Sequence, residues 1–76
     1  MHTVLSIEPA MFTLAELSQY LRRSRASTNR DLSSGRLPAG LRIGKSRRWL
    51  RADIDLWLSL GCPAREEFEA RKRAAR

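Results

Sequence analysis

Three consecutive stretches decide how this chain folds: Ser24-Arg25-Ala26-Ser27-Thr28-Asn29-Arg30-Asp31-Leu32-Ser33-Ser34, then Gly35-Arg36-Leu37-Pro38, then Leu41-Arg42-Ile43-Gly44-Lys45-Ser46-Arg47-Arg48-Trp49. The first reads as a short polar helix. Ser24 is a natural N-cap because its hydroxyl can accept from a free amide of the first turn. Gly35 suits the left-handed position that stops a helix, and Pro38 just beyond confirms the stop. In the third stretch Leu41-Arg42-Ile43 and Arg48-Trp49-Leu50 are β-prone runs, and Gly44-Lys45-Ser46-Arg47 joins them as a turn. Alternation within each run suggests that Leu41, Ile43 and Leu50 point inward, with Trp49 at the ribbon base.

Working outward, an earlier helix is announced by Thr13 and Glu16, which have the spacing of a capping box. Phe12 and Leu17 occupy the two hydrophobic-staple positions. Leu14, Leu17 and Leu21 then recur at helical spacing, so the helix runs from about Leu14 to Leu21 or Arg22 with one face in the core. Only Arg22 and Arg23 separate it from the polar helix, and so short a joint forces a sharp angle. After the hairpin a third helix spans about Ala52 to Leu60, with Ile54, Trp57 and Leu58 as its core stripe. Asp53 lies at its positive end, and Gly61 and Pro63 end it. Ala64 to Arg76 reads as a fourth, exposed helix that frays beyond about Arg71. Glu67 with Arg71 and Glu69 with Arg73 are its i,i+4 pairs, and Phe68 is its large apolar anchor.

The expected fold is mainly α with a small β-hairpin: a winged helix-turn-helix of three core helices plus a C-terminal helical tail. Residues 1–11 form a flexible arm, in which Val4, Leu5 and Ile7 can pair as a short strand or pack on the surface. Residues 12–61 form the domain, and residues 62–76 a partly frayed tail.

Composition narrows the function. The 76 residues make a single small domain, and 42% hydrophobic content supports a compact core without a large internal cavity. Fifteen Lys and Arg against eight Asp and Glu give a net charge of +7. The sequence pI is about 11.3. Such a chain attracts polyanions, and the clustering and the dominance of Arg favour that reading over charge for solubility alone. Cys62 is the single cysteine and His2 the single histidine, so no disulfide, zinc site or other metal site is expected, and no cofactor. A lone thiol suits a reducing cytoplasm. Val4 to Ile7 is too short for a signal peptide, and no run approaches the roughly 20 apolar residues of a membrane span. No acid/base pair or nucleophile with histidine is present, so catalytic residues are not expected. Gly44-Lys45-Ser46 imitates the end of a phosphate-binding loop, but that motif needs Gly where Ala39 stands, and a helix where Arg47-Arg48-Trp49 is β-prone.

A helical wheel locates the free face of the polar helix. With Leu32 toward the core and about 100° per residue, Thr28 and Arg25 fall near the core side. Ser27, Arg30 and Ser34 fall opposite, flanked by Ala26 and Ser33. Arg can chelate guanine, Ser can meet bases or phosphates, and Ala can touch a thymine methyl. One good bidentate contact gives about 1–3 kcal/mol of discrimination. The alternative is an ordinary solvated face, but the adjacent turn and basic hairpin favour DNA. Asn29 sits at the edge, where its amide can chelate adenine or cap a local backbone group. Asp31 points sideways, within reach of Arg22 or Arg23. In the hairpin, Arg42, Lys45, Arg47 and Arg48 have no acidic neighbour. Lys45 and Arg47 at the tip, with Ser46 between them, are expected to reach phosphates or the minor groove.

Taken together, Leu21-Arg22-Arg23-Ser24-Arg25, Ser34-Gly35-Arg36-Leu37-Pro38, Arg42-Ile43-Gly44, Trp49-Leu50 and Asp53-Ile54-Asp55-Leu56-Trp57-Leu58 resemble the small MerR-type winged helix-turn-helix proteins. These are the excisionases of phages and mobile elements and the AlpA-like regulators. The resemblance covers about residues 12 to 60. It implies that the polar helix is the recognition helix and Gly44 to Arg48 the wing, and it assigns Ser24, Arg25, Ser27, Asn29 and Arg30 to the DNA surface. The chain departs from the family pattern at Thr28, Asn29 and Asp31, where apolar or aromatic residues are usual. An excisionase implies double-stranded DNA, an integrase or recombinase, and further copies on adjacent sites as partners. A transcriptional regulator of the same fold is the close rival. A phage-packaging module is a DNA-binding variant, and a basic adaptor for an acidic protein is the alternative outside DNA binding.

Overall fold

The computed structural model describes residues 10–74. In chain order the elements are β1 (Met11–Phe12), α1 (Leu14–Leu21), α2 (Arg25–Ser33), β2 (Leu41–Ile43), β3 (Ser46–Leu50), α3 (Arg51–Ser59) and α4 (Arg65–Ala74). The chain is mostly helical, with a small antiparallel sheet of order β1-β3-β2. It is a winged helix-turn-helix.

Helix α1 begins where its caps dictate. The Thr13 hydroxyl accepts from the Glu16 amide at 3.1 Å, and the Glu16 carboxylate accepts from the Thr13 amide at 2.9 Å. Phe12 and Leu17 are both buried, as the staple requires. The helix stops at Arg22, which adopts the left-handed conformation (φ 58°). That single residue turns the chain into Ser24, the N-cap of α2, whose hydroxyl accepts from the Ser27 amide at 3.0 Å. Helix α2 ends at Ser34, and Gly35 follows at φ +81°.

The core consists of Phe12, Leu17, Leu37, Trp49, Ile54, Trp57 and Phe68, with Leu14, Leu21, Leu32, Leu56 and Leu60 packed against it. Two polar side chains are buried with it, Ser18 and Thr28. Each hydroxyl donates to the carbonyl four residues earlier, Leu14 at 2.8 Å and Ser24 at 2.9 Å. Thr28 therefore substitutes for an apolar residue without an unmet donor.

Several sequence expectations change here. Met11 belongs to a strand, not to the arm: it pairs with Leu50, and Phe12 with Trp49. The strand expected of Val4, Leu5 and Ile7 lies outside the described residues. Leu41 and Ile43 do not point inward; Ile43 is 55% exposed. In a strand successive side chains alternate, and Trp49 has the larger apolar surface to hide. Its burial places Phe12, Trp49 and Arg47 on one side of β3, so Leu41 and Ile43, paired with Arg48 and Ser46, fall on the other. The turn is two residues, Gly44-Lys45, with Gly44 at φ +62°. Glycine in the first central position lets so short a hairpin match strand twist. Leu58 is exposed, leaving Ile54 and Trp57 as the buried residues of α3.

The segment expected to be a tail is docked. Phe68 of α4 is 0% exposed. Lys72 reaches back to Asp53 of α3 at 3.2 Å. Glu67 pairs with Arg71 as the spacing suggests, whereas Glu69 meets Lys72 rather than Arg73. Arg65 makes the firmest tie. Its amide donates to the Gly35 carbonyl at 2.9 Å, its Nε to Leu37 at 2.9 Å and its Nη2 to Leu32 at 2.6 Å. These carbonyls lie in the last turn of α2 and just after it, where a helix leaves acceptors unsatisfied and favours a cation. Truncating a buried Phe costs about 3–5 kcal/mol, a large share of the stability of so small a domain. Phe68→Ala is therefore expected to unfold the whole domain at much lower urea, in one transition with α2. A loss below about 1 kcal/mol would mean that α4 is a loose tail after all.

Candidate nucleic-acid interface

Helix α2 is polar and cationic on its open side for a traceable reason. α2 buries only Thr28 fully and Leu32 in part, so the rest of its circumference is free for other work. Arg25, Ala26, Asn29 and Arg30 are exposed, and Ser27 is half-buried. The hydroxyls expected at the interface are engaged within the helix itself. Ser24 caps it, Ser34 donates to the Asp31 carbonyl at 3.3 Å, and Ser27 accepts from the Arg30 guanidinium at 3.1 Å. The Arg30–Ser27 bond lays the guanidinium along the outward face. A shallow groove of about 430 Å³ runs beside it, lined by Asn29, Arg30, Ser33, Ser34 and Arg36.

In the wing, Lys45 occupies the turn, with Ser46 beside it at the start of β3. Arg47 does not sit at the tip. It lies within β3, half-buried, with its guanidinium on the Ala39 carbonyl. Arg42 stands directly opposite Arg47 across the ladder. Like charges so placed repel, and each finds its own carbonyl, Arg42 that of Lys45 at 3.5 Å. Arg48 points to the other side and donates to the Arg47 carbonyl at 2.9 Å. The cations thus lie on both sides of the ribbon.

Two glycines and one tryptophan fix where the wing stands. The Trp49 indole donates to the Pro38 carbonyl at 2.7 Å, tying the central strand to the segment leaving α2. Gly40 passes so close that an added Cβ would lie 2.6 Å from the Arg48 carbonyl oxygen, and its φ is +78°. Gly35 supplies the left-handed step that frees the chain from α2.

Asp31, the one acidic residue of this region, is not bare. Arg23 lies 2.8 Å from its carboxylate and Arg36 3.8 Å. Residues 22–48 hold nine Lys and Arg and one Asp, whereas residues 51–74 hold five of each sign. Positive charge is concentrated on α2, its flanking turns and the wing. Sequence reasoning did not single out Arg36, nor Arg65 as the residue that fixes the end of α2. The Gly35-Arg36 step after a helix stop was the available signal for the first. Nothing local signals the second, because its partners lie about thirty residues away.

A helix, a sharp three-residue turn, a polar second helix and a basic hairpin define a DNA-binding helix-turn-helix module. Residues 11–59 match the family model described as a helix-turn-helix domain. The chain belongs to that family, which is found in small regulators of the AlpA and excisionase type, and the domain implies sequence-specific DNA binding. No curated protein and no solved structure matches the chain. Among the described residues, no helix is long and apolar enough to cross a membrane.

Lys45 is the cation best placed to test the wing, because it stands in the turn and supports no strand pairing. Lys45→Ala is expected to weaken binding to specific and random duplexes alike and to flatten the salt slope by about one unit, measured by fluorescence anisotropy from about 50 to 200 mM salt. An unchanged slope would mean that the wing does not touch phosphate.

Proposed function

We propose that this protein is an excisionase: a sequence-specific DNA-binding factor that binds and bends DNA at the attachment site of a phage or mobile element and assists a recombinase. The observation that carries the reading is the size of the reading element beside its wing. α2 has nine residues and is therefore about 13.5 Å long, enough to follow about four base pairs of groove. With about 1–3 kcal/mol per correct base pair, one module discriminates modestly. Affinity and specificity then come from several copies on adjacent sites. A wing that neutralises phosphates beside the groove makes bending favourable. Family membership supports the same reading.

In this proposal the outward residues of α2 divide their roles. Arg30 reads base edges, with Ser27 setting its orientation. Asn29 and Ala26 flank it, and Ser24, Arg25 and Ser34 meet the backbone at the two ends. On the wing, Arg42, Lys45, Ser46, Arg47 and Arg48 engage phosphate. The partners are double-stranded DNA, a recombinase, and neighbouring copies of the chain; the setting is the cytoplasm, on the nucleoid. A transcriptional regulator is the second reading, favoured by the AlpA-type side of the family, since the same surface serves a promoter.

A gel-shift titration across an attachment site separates them. An excisionase gives a ladder of cooperative complexes there, and a regulator gives one discrete complex confined to a promoter. Failure to bind any DNA at low salt would leave only an adaptor whose basic surface meets an acidic protein. Arg30→Ala is expected to lower affinity for the selected site by about 1–3 kcal/mol while changing random-DNA binding little. Equal losses on both would remove Arg30 from the groove.

A further inference from the structure

The Asp31 carboxylate looks misplaced on a DNA-reading helix until its neighbours are considered. Ser27 and Arg30 mark the outward face of α2, and Asp31 is rotated about 100° from Arg30 around the helix axis. A helix in a major groove about 12 Å wide has base edges beneath it and a phosphate wall on either side. Asp31 thus faces a wall, where an uncovered carboxylate would repel the backbone. It is covered from both ends of the helix. Arg23 belongs to the turn before α2 and Arg36 to the turn after it, at 2.8 Å and 3.8 Å from the two carboxylate oxygens. The Asp31 side chain is 18% exposed, that of Arg23 47% and that of Arg36 77%. The anion is sheltered while both cations reach solvent. Each guanidinium has five N–H donors, more than a shared carboxylate can engage.

Arg36 is also held through its backbone, its amide donating to the Asp31 carbonyl at 2.9 Å. Its side chain lines two grooves. One runs along the outward face of α2 with Asn29, Arg30, Ser33 and Ser34, and the other contains Arg23, Asp31, Trp57, Cys62 and Ala64. It stands where the base-reading face meets the flank.

We propose that Arg23 and Arg36 form a two-pronged clamp for DNA phosphates on one flank of α2, and that Asp31 is the positioning residue that holds them in place. The inference rests on α2 lying in the major groove. Asp31 arranges two long side chains before DNA arrives, so less rotamer freedom is lost on binding. The pair with one carboxylate keeps a net single positive charge facing the wall.

Binding of the full chain to a duplex selected from a random pool, and to random duplex, tests this across salt by fluorescence anisotropy. Arg23→Ala and Arg36→Ala are each expected to weaken both duplexes by about three- to tenfold and to flatten the salt slope by about one unit. Asp31→Asn raises the net charge by one, so charge counting alone predicts tighter binding. The clamp predicts weaker binding, with Arg36→Ala adding little in the Asp31→Asn background. Tighter binding by Asp31→Asn, or an unchanged slope in both arginine variants, would overturn the clamp while leaving DNA binding by the wild-type chain intact. If Asp31→Asn melts below the wild-type temperature, the slope of the exposed Arg36→Ala decides alone, and no change in it overturns the clamp. A wild-type chain that binds no duplex at low salt overturns the groove reading together with the clamp.

Discussion

The burial of Trp49 is the constraint on which the rest of the molecule depends. Its indole is 1% exposed, sits opposite Phe12 in the sheet, and spends its single donor on the Pro38 carbonyl. One side chain therefore joins the strand before α1, the segment leaving α2 and the hairpin. A buried tryptophan needs a partner for its N–H, and here the partner fixes where the wing stands relative to the second helix. The close pass of Gly40 and the outward turn of Leu41 and Ile43 are consequences of that placement.

The α2 side of the molecule is built with little apolar material. α2 contributes one fully buried residue, a threonine satisfied by its own helix. It is held instead at its ends, by the Ser24 cap at the start and by Arg65 at the finish. This leaves its outward residues without core duties. Capping and carbonyl bonds stabilise a polar helix at the termini, where its backbone groups are unsatisfied, so the exposed face can carry Arg, Ser and Asn. Arg65 thereby ties α4 to the end of α2.

Much of this was legible in the order of residues, because the strongest signals are local. Thr13 with Glu16, Ser24, Gly35 and Gly61 punctuate the helices within a few residues of where they act. The helical wheel put Asp31 within reach of Arg22 or Arg23, and Arg23 is the one that it meets. What failed were judgements that needed tertiary competition. Which side of the hairpin faces inward depends on whether Trp49 or the pair Leu41 and Ile43 wins the core, and alternation alone is symmetric between them. The length of the turn shifted Arg47 from tip to strand. Whether the last helix docks depends on Phe68 joining the core cluster, and no local pattern records that. For the candidate site, the outward positions of α2 could be read from periodicity, whereas Arg36 emerged beside Asp31 only once the turn after α2 was in place.

The uneven distribution of charge has a kinetic consequence. Positive charge gathers on α2, its turns and the wing, while the stretch formed by α3 and α4 is balanced. In the field of a polyanion such a molecule behaves as a dipole and experiences a torque before any contact is made. It turns its cationic side toward the duplex during approach, so fewer collisions arrive wrong side first. Salt shortens the range of that torque, so dilute buffer favours well-oriented encounters as well as tight complexes. Orientation is thus settled partly in solution, by residues that never meet a base.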